Sequence, residues 1–254
     1  MFYVLNKKEL FFKYSLEFIV IVIGILISFY IQRLSDEKRQ LREINESIAT
    51  LSYEIQTNIN YCDEHLKQLQ NMQIVNDSVL KNFETLNKTS LINWHNKHPF
   101  GHSYLEDGKL RYWTDESDYD NLFLWMITWW NTFAQNEIYF KSLISSGLLL
   151  NIEDASIRED IESVYVTKKK RVEVNEGLLK ANSDKIFLWV EQQRDNSKIT
   201  ISRDEIFKNM KNLKLKNLIE DRSFRIELRI MSLKNYLSSL ISLKTKLETK
   251  FSLE

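Results

Sequence analysis

Phe18-Ile19-Val20-Ile21-Val22-Ile23-Gly24-Ile25-Leu26-Ile27-Ser28-Phe29-Tyr30-Ile31-Gln32 runs directly into Arg33-Leu34-Ser35-Asp36-Glu37-Lys38-Arg39-Gln40-Leu41. Neither proline nor glycine falls between Ile25 and Leu41, so nothing ends a helix there. The spacing predicts one continuous helix that leaves a bilayer and carries on into water. Phe18–Ile31 alone covers only about 21 Å at 1.5 Å per residue, short of a hydrocarbon core of roughly 30 Å. Extending the span back to Leu10 supplies the missing length and brings in Lys13 and Glu17. Lys13 can snorkel to the headgroups, and Glu17 lies one turn deeper on the same face, at i,i+4 spacing. Phe11, Phe12 and Tyr14 suit the aromatic belt at an interface.

Lys7 and Lys8 ahead of an apolar run also fit a cleaved signal peptide. The run ends in Ser28-Phe29-Tyr30-Ile31-Gln32, however, without the small-x-small pattern of a cleavage site. An uncleaved signal-anchor is the expectation. Orientation is not settled by charge: three lysines precede the span, and Arg33, Lys38, Arg39 and Arg42 follow it.

Composition bounds the remainder. One proline and five glycines in 254 residues leave too little punctuation for a sheet protein. The fold class expected is all-α: an N-terminal cytoplasmic tail and transmembrane anchor at residues 1–33, the anchor helix continuing into a long stalk helix, packed in an elongated antiparallel helical bundle over 34–254. Lys and Arg total 35, as do Asp and Glu, which lacks the basic footprint of a nucleic-acid binder. The single cysteine, Cys62, excludes an internal disulfide and a cysteine zinc site.

Past the span, Leu41, Ile44, Ile48, Leu51, Ile55, Ile59, Cys62, Leu66 and Leu69 form one stripe, with a stutter between Ile55 and Ile59. This seam packs either within the chain or against a second copy. Cys62 lies on it and reads as a small buried hydrophobe. The stripe marks a helix running to about Leu86.

An insertion at about 91–120 breaks the helical pattern. It holds Pro99, Gly101, Gly108, several acids and the histidines His95, His98 and His102. Imidazoles beside carboxylates suit zinc or a similar ion, which makes these three the candidate metal ligands. Their spacing matches no established signature, and Pro99 interrupts any helix that would align the rings. A surface loop or short hairpin is the favoured reading, and no cofactor is expected.

Leu122–Trp130 (LFLWMITWW) is too short to cross a bilayer and too apolar to lie bare in water. As a helix it places Trp125, Trp129 and Phe133 on one face and Phe123, Met126 and Trp130 on another. Such a helix belongs in the middle of a bundle. The functional alternatives make Trp125, Trp129, Trp130 and Phe133 a partner-binding or membrane-surface patch, or the wall of an aromatic ligand pocket.

Further on, Gly147 reads as the left-handed residue closing a helix. Ser156 and Glu159 have capping-box spacing at the start of a helix from about Ile157 to Gln193, and Ser202 and Glu205 repeat that spacing. Lys168–Arg171 is expected to be a solvated charged patch. The final helix, from about Leu218 to Phe251, carries Ile226, Ile230, Leu233, Leu237, Leu240, Leu247 and Phe251 on one stripe.

Two segments together resemble a family of uncharacterised bacterial single-pass membrane proteins. Glu17-Phe-Ile-Val-Ile-Val-Ile-Gly24-Ile-Leu-Ile27 is similar to that family's Gly-Glu-Ile-x-Leu-Val-Val-x-Gly-Ile-Leu-Ile anchor. Leu143-Ile-Ser-Ser-Gly-Leu-Leu-Leu-Asn-Ile152, with Ile157-Arg158 and Tyr165, is similar to its Leu-x-Ser-Ser-Gly-x-Leu-x-Leu-Ile segment. Leu16 stands where the family has glycine, and Leu34 where it commonly has tryptophan. The span read by length places Lys13, Glu17 and Gly24 within the membrane segment; the resemblance implies a cytoplasmic N-terminus and the helical domain outside the inner membrane. It implies no activity.

The sequence contains no glycine-rich phosphate loop, nucleophile elbow, His-Glu-x-x-His or dinucleotide turn. The expected function is non-enzymatic: a membrane-anchored helical interaction module that is a scaffold, accessory subunit or sensor of an envelope complex. Its partners would be the lipid bilayer and either another protein or a second copy bound through the stalk. A metal- or ligand-binding domain on the histidine loop and a membrane-perturbing effector are the alternatives.

Overall fold

In a computed structural model, the structure describes residues 7–101, 105–106, 109–110, 122–197, 199–207 and 212–251. The protein is all-α. Helix α1 runs unbroken over Lys7–Lys81, 75 residues or about 112 Å at the α-helical rise. Helix α2 (Lys88–Lys97) follows, capped by the Asn87 side chain accepting from the Ser90 amide. Strands β1 (Leu105–Glu106) and β2 (Lys109–Leu110) pair antiparallel as a minimal hairpin within the insertion. The chain continues through α3 (Leu122–Thr128), α4 (Ile138–Ser145), α5 (Ala155–Glu162), α6 (Lys169–Asp195) and α7 (Leu213–Phe251). A π-helical turn, Ser163–Lys168, joins α5 to α6, so the helix expected over 157–193 is continuous but locally widened.

The first third of α1 is long and apolar enough to cross a membrane, and none of that apolar window is buried inside the molecule. Every side chain from Gln32 to Glu43 is also exposed, including Leu34 and Leu41. Burial starts at Ile44. From there α1 packs chiefly against α7, which in turn packs against α6. The seam therefore closes within the chain from Ile44 onward, and Leu41 lies outside it, 55% exposed.

No stutter occurs at residue 59. The buried residues run Ile55, Asn58, Cys62, with Ile59 flanking, so the 3-4 rhythm continues through a polar side chain. Helix α7 has the same rhythm over ten buried positions: Leu215, Ile219, Arg222, Ile226, Arg229, Leu233, Tyr236, Leu240, Leu243 and Leu247. Spacings of 4-3-4-3 keep one face toward α1 along its whole length. Two of those positions are arginines.

The local punctuation largely follows the sequence. Gly147 sits at φ 74°, left-handed, and a short 3-10 turn, Leu148–Asn151, follows it. Ser202 and Glu205 form a reciprocal box, each amide donating to the other's side chain at 3.2 Å. The cap of α5 differs: Asp154, not Ser156, accepts from the Ser156 amide at 3.0 Å, and its carboxyl is held well below the usual range, to about 2, by Ser156 and Lys250.

Candidate functional site

Helix α3 stops at Thr128, whose hydroxyl turns back to the Leu124 carbonyl at 2.6 Å. Asn131 then adopts φ 54°, the left-handed region that asparagine tolerates better than most residues. Residues 129–137 consequently run over α1 and α7 as a non-helical strap, not as the two-faced helix the sequence suggested. The predicted alignment of Trp125, Trp129 and Phe133 on one helical face does not occur.

A non-helical segment packed on a bundle leaves its backbone without helical partners, and each orphaned buried group costs free energy. Side chains from α1 and α7 supply what is missing. Asn58 clamps Asn136 from both sides, donating to its carbonyl at 2.8 Å and accepting from its amide at 3.0 Å. The Tyr61 hydroxyl donates to the Thr132 carbonyl at 3.3 Å and accepts from the Ala134 amide at 2.8 Å. Arg222 donates to the Trp129 carbonyl, and Arg229 donates to those of Trp130 and Asn131. Tyr236 donates to the Gln135 side chain.

Both arginines are almost fully buried, at 1% and 0% exposure, and among the described residues neither pairs with a carboxylate. Burial pushes the Arg222 guanidinium down to about 9, aided by Arg229, and Arg229 down to about 10. Both remain cations at neutral pH. Their charge is solvated by carbonyl dipoles of the strap, by the Ser183 hydroxyl 3.0 Å from Arg222, and by His65. The guanidinium always donates, so the His65 Nε2 at 3.1 Å from Arg229 is an acceptor and the imidazole is neutral. Burial, and then the Arg229 charge, hold His65 down to about 3, against a backbone bond with Asn131.

The strap leads into a second buried charge. Helix α4 begins at Ile138, and its N-cap residue, Glu137, makes no side-chain capping bond. Glu54 of α1 caps it instead: its carboxylate accepts from the Tyr139 amide at 2.7 Å, the Phe140 amide at 3.3 Å and the Tyr165 hydroxyl at 2.9 Å. The positive end of the helix dipole and two amides satisfy an anion that is 0% exposed. Phe140 stacks on Tyr165 with ring centroids 4.3 Å apart. Burial, and then Glu54, raise the Tyr165 phenol far above its ordinary value.

The tryptophans named from sequence serve this interior. Trp125, Trp129 and Trp130 are half-buried against the core, and Phe133 is 8% exposed. Trp125 stacks on Phe100, and Gly101, at φ 76°, sits so close to Trp125 that any Cβ there would overlap the indole. His95 is completely buried, its Nε2 2.9 Å from the Phe100 carbonyl and its ring edge-on to Phe100 and Trp125. His98 is the half-buried C-cap of α2, and His102 lies outside the described residues. Among the described residues no group of three or more His, Cys, Asp or Glu is placed to hold a metal. Lys169 is drawn inward from its charged run to bridge Glu137 at 2.6 Å and Glu173 at 2.7 Å. In the apolar first third of α1, Lys13 and Glu17 are exposed, and the Ser28 hydroxyl bonds back to the Gly24 carbonyl at 2.9 Å.

Asn58, His65, Arg222, Arg229 and Tyr236 went unread because a polar residue in a charged helix normally faces water. Their signal was present in the spacing, since all five fall on buried positions of a 3-4 seam. Compared with known proteins, the chain matches no family model, no curated protein and no solved structure. Fold and site together define the class: an all-α bundle, latched internally by an arginine-bound strap, on a helix long and apolar enough to cross a membrane.

Proposed function

We propose that the protein is a non-enzymatic, single-pass membrane-anchored helical interaction module: a scaffold, accessory subunit or sensor of an envelope complex. One observation carries the reading. The exposed apolar third of α1 and the core strut of the bundle are the same helix, so whatever holds the first positions the second. The polar groups at the strap are spent on backbone, which suits holding a shape more than performing chemistry. Leu34 and Leu41 remain uncovered on the stalk and are the surface for a protein partner or a second copy.

The resemblance of the anchor and of Leu143–Ile152 to the single-pass family supports an inner-membrane location with the bundle on the outer, periplasmic side. A one-residue difference in Lys and Arg count across the span is too small to outweigh it. Side-specific labelling tests the topology. Cys62 is buried, so the reporter is Lys185→Cys at an exposed position of α6. A membrane-impermeant maleimide should label it in cells whose outer layer is opened and inner membrane intact. Labelling only after the inner membrane is broken places the bundle in the cytoplasm and overturns the assignment.

A further inference from the structure

Helices α6 and α7 leave a groove of about 650 Å³ on their outer side, at the π-helical turn. One end is cationic, walled by Lys168, Lys170 and Arg171, with no Asp or Glu among the lining residues. Lys170 leans to Glu173 at 3.4 Å, but Lys168 has only the Ser239 hydroxyl at 2.8 Å, and Arg171 makes no ion pair among the described residues. Ser232, Asn235 and Ser239 add hydroxyl and amide groups to the same end. In a chain with equal numbers of acids and bases, a walled cleft lined by three cations and no carboxylate, with only Lys170 ion-paired among the described residues, is unusual.

The other end is apolar. Val174 and Met231 line the groove at 51% exposure each; at helical spacing from these lining residues, Leu178 on α6 (41%) and Phe224 on α7 (60%) are exposed as well. From Met231 to Phe224 is seven residues, about 10 Å of helix. Contiguous apolar surface left in water marks a binding site more often than chance exposure does. The volume falls within the usual range of small-ligand sites, roughly 300–1,000 Å³.

We propose that this groove binds a single-chain anionic amphiphile, its phosphate or carboxylate head at Lys168 and Arg171 and its acyl chain along Val174, Met231, Leu178 and Phe224. The polarity gradient is the reason. Inorganic anions leave the apolar strip bare, and neutral lipids leave the cations uncompensated. The inference goes beyond the interaction-module reading and does not depend on which side of the membrane the bundle occupies.

A photoreactive dodecyl phosphate tests it on the full-length protein in mild nonionic detergent, with the crosslinked peptide mapped. Labelling should fall on 167–178 and 224–239. Lys168→Glu with Arg171→Glu should reduce it about tenfold, and Arg171→Glu alone, at an exposed position, should reduce it with melting unchanged. Photoreactive dodecanol and dodecyl trimethylammonium should label the groove no better than the charge-reversed protein labels with the phosphate. A photoreactive single-chain lysophosphatidic acid supplied in nanodiscs distinguishes the source: groove labelling from it makes the bilayer the supply, and labelling of residues 11–31 alone makes the supply a free amphiphile. Equal labelling by all three dodecyl probes, label scattered over the surface, or indifference to charge reversal overturns the proposal. Phe224→Asp is the second variant: it retains the cations, and undiminished labelling there removes the acyl-chain half.

Discussion

The two ends of α1 belong to one unbroken helix, differ in composition and meet different fates. From Phe18 to Ile31 the helix is apolar on every side and nothing in the molecule covers it; from Ile44 to Val79 it is apolar on one stripe, and that stripe is buried almost completely. Both the amount of apolar side chain and its distribution separate the two: the first stretch is nearly all Ile, Val, Leu and Phe, and the second interleaves its stripe with Asn, Gln, Glu and Asp. A helix apolar all round can be solvated only by lipid or by a shell of protein, while a striped one needs a single partner face. Residues 32–43, exposed and laced with the ion pairs Arg33–Glu37 (2.9 Å) and Asp36–Arg39 (3.2 Å), keep the two regimes apart.

Removing one regime is the largest perturbation. The full-length chain should pellet with membranes and resist carbonate, and deletion of residues 1–32 should release helical protein into the supernatant with the bundle's melting transition intact. Recovery of a mature chain starting near Gln32 breaks the comparison, because the apolar end would then be a discarded signal.

Next in size is the latch within the striped half. Arg229→Ala strands the Trp130 and Asn131 carbonyls and leaves a cavity, and should cost about 3–5 kcal/mol in denaturant unfolding. Glu54→Ala uncaps α4 and orphans Tyr165 and should cost a comparable amount, about 3 kcal/mol. If Arg229→Met costs nothing, the strap is held by packing alone. Trp129→Ala removes half-buried aromatic surface and should cost about 2–3 kcal/mol, below the full-burial range. A stable Trp129→Ala protein that no longer enters its complex would return that side chain to the interaction surface.

Acid should act on the same region. The folded pKa of His65 is held to about 3 against an ordinary value of about 6.5. Between those values the unfolded chain binds a proton that the folded one does not, so His65 makes stability fall as pH drops through that window. The slope contributed is at most about 1.4 kcal/mol per pH unit. Above about pH 6.5 the contribution is constant. His65→Gln retains an acceptor for Arg229, and comparing urea midpoints at pH 7 and 4.5 should show a shallower loss than in the parent.

The smallest effects belong to the stalk. Arg33→Ala should change bundle stability by less than about 0.5 kcal/mol, since its partner Glu37 is an exposed i,i+4 neighbour. Cys62 gives a sharper reading of the buried half. Burial pushes its thiol up to about 12, so an aromatic disulfide reagent should react with it only at the rate of global opening, and Ile48→Ala should accelerate that reaction.

The long apolar N-terminal helix, the all-α class, the α1 stripe, Gly147 and the Ser202–Glu205 box were legible because each is encoded by neighbours a few residues apart. The latch was not. Asn58 finds Asn136 across 78 residues and Arg229 finds Asn131 across 98, and nothing local announces either pairing. Charged residues in Lys- and Glu-rich helices are usually solvated, so Glu54, Arg222 and Arg229 read as surface until the strap supplies their partners. The strap itself was hidden by Leu122–Trp130, whose apolar run looks helical and gives no sign that Thr128 and Asn131 turn it out of the helix.

The continuity of α1 has a mechanical consequence. With no proline, glycine pair or π-turn between Ile31 and Lys81, the helix has no joint at which to absorb motion. Fifty residues of rigid helix span about 75 Å, so a 10° change of tilt in the apolar segment swings the far end of the bundle by roughly 13 Å. Alterations in bilayer thickness or in a neighbour's packing against the span would be magnified at the distal tip, much as a mast turns the roll of a hull into sweep at its top.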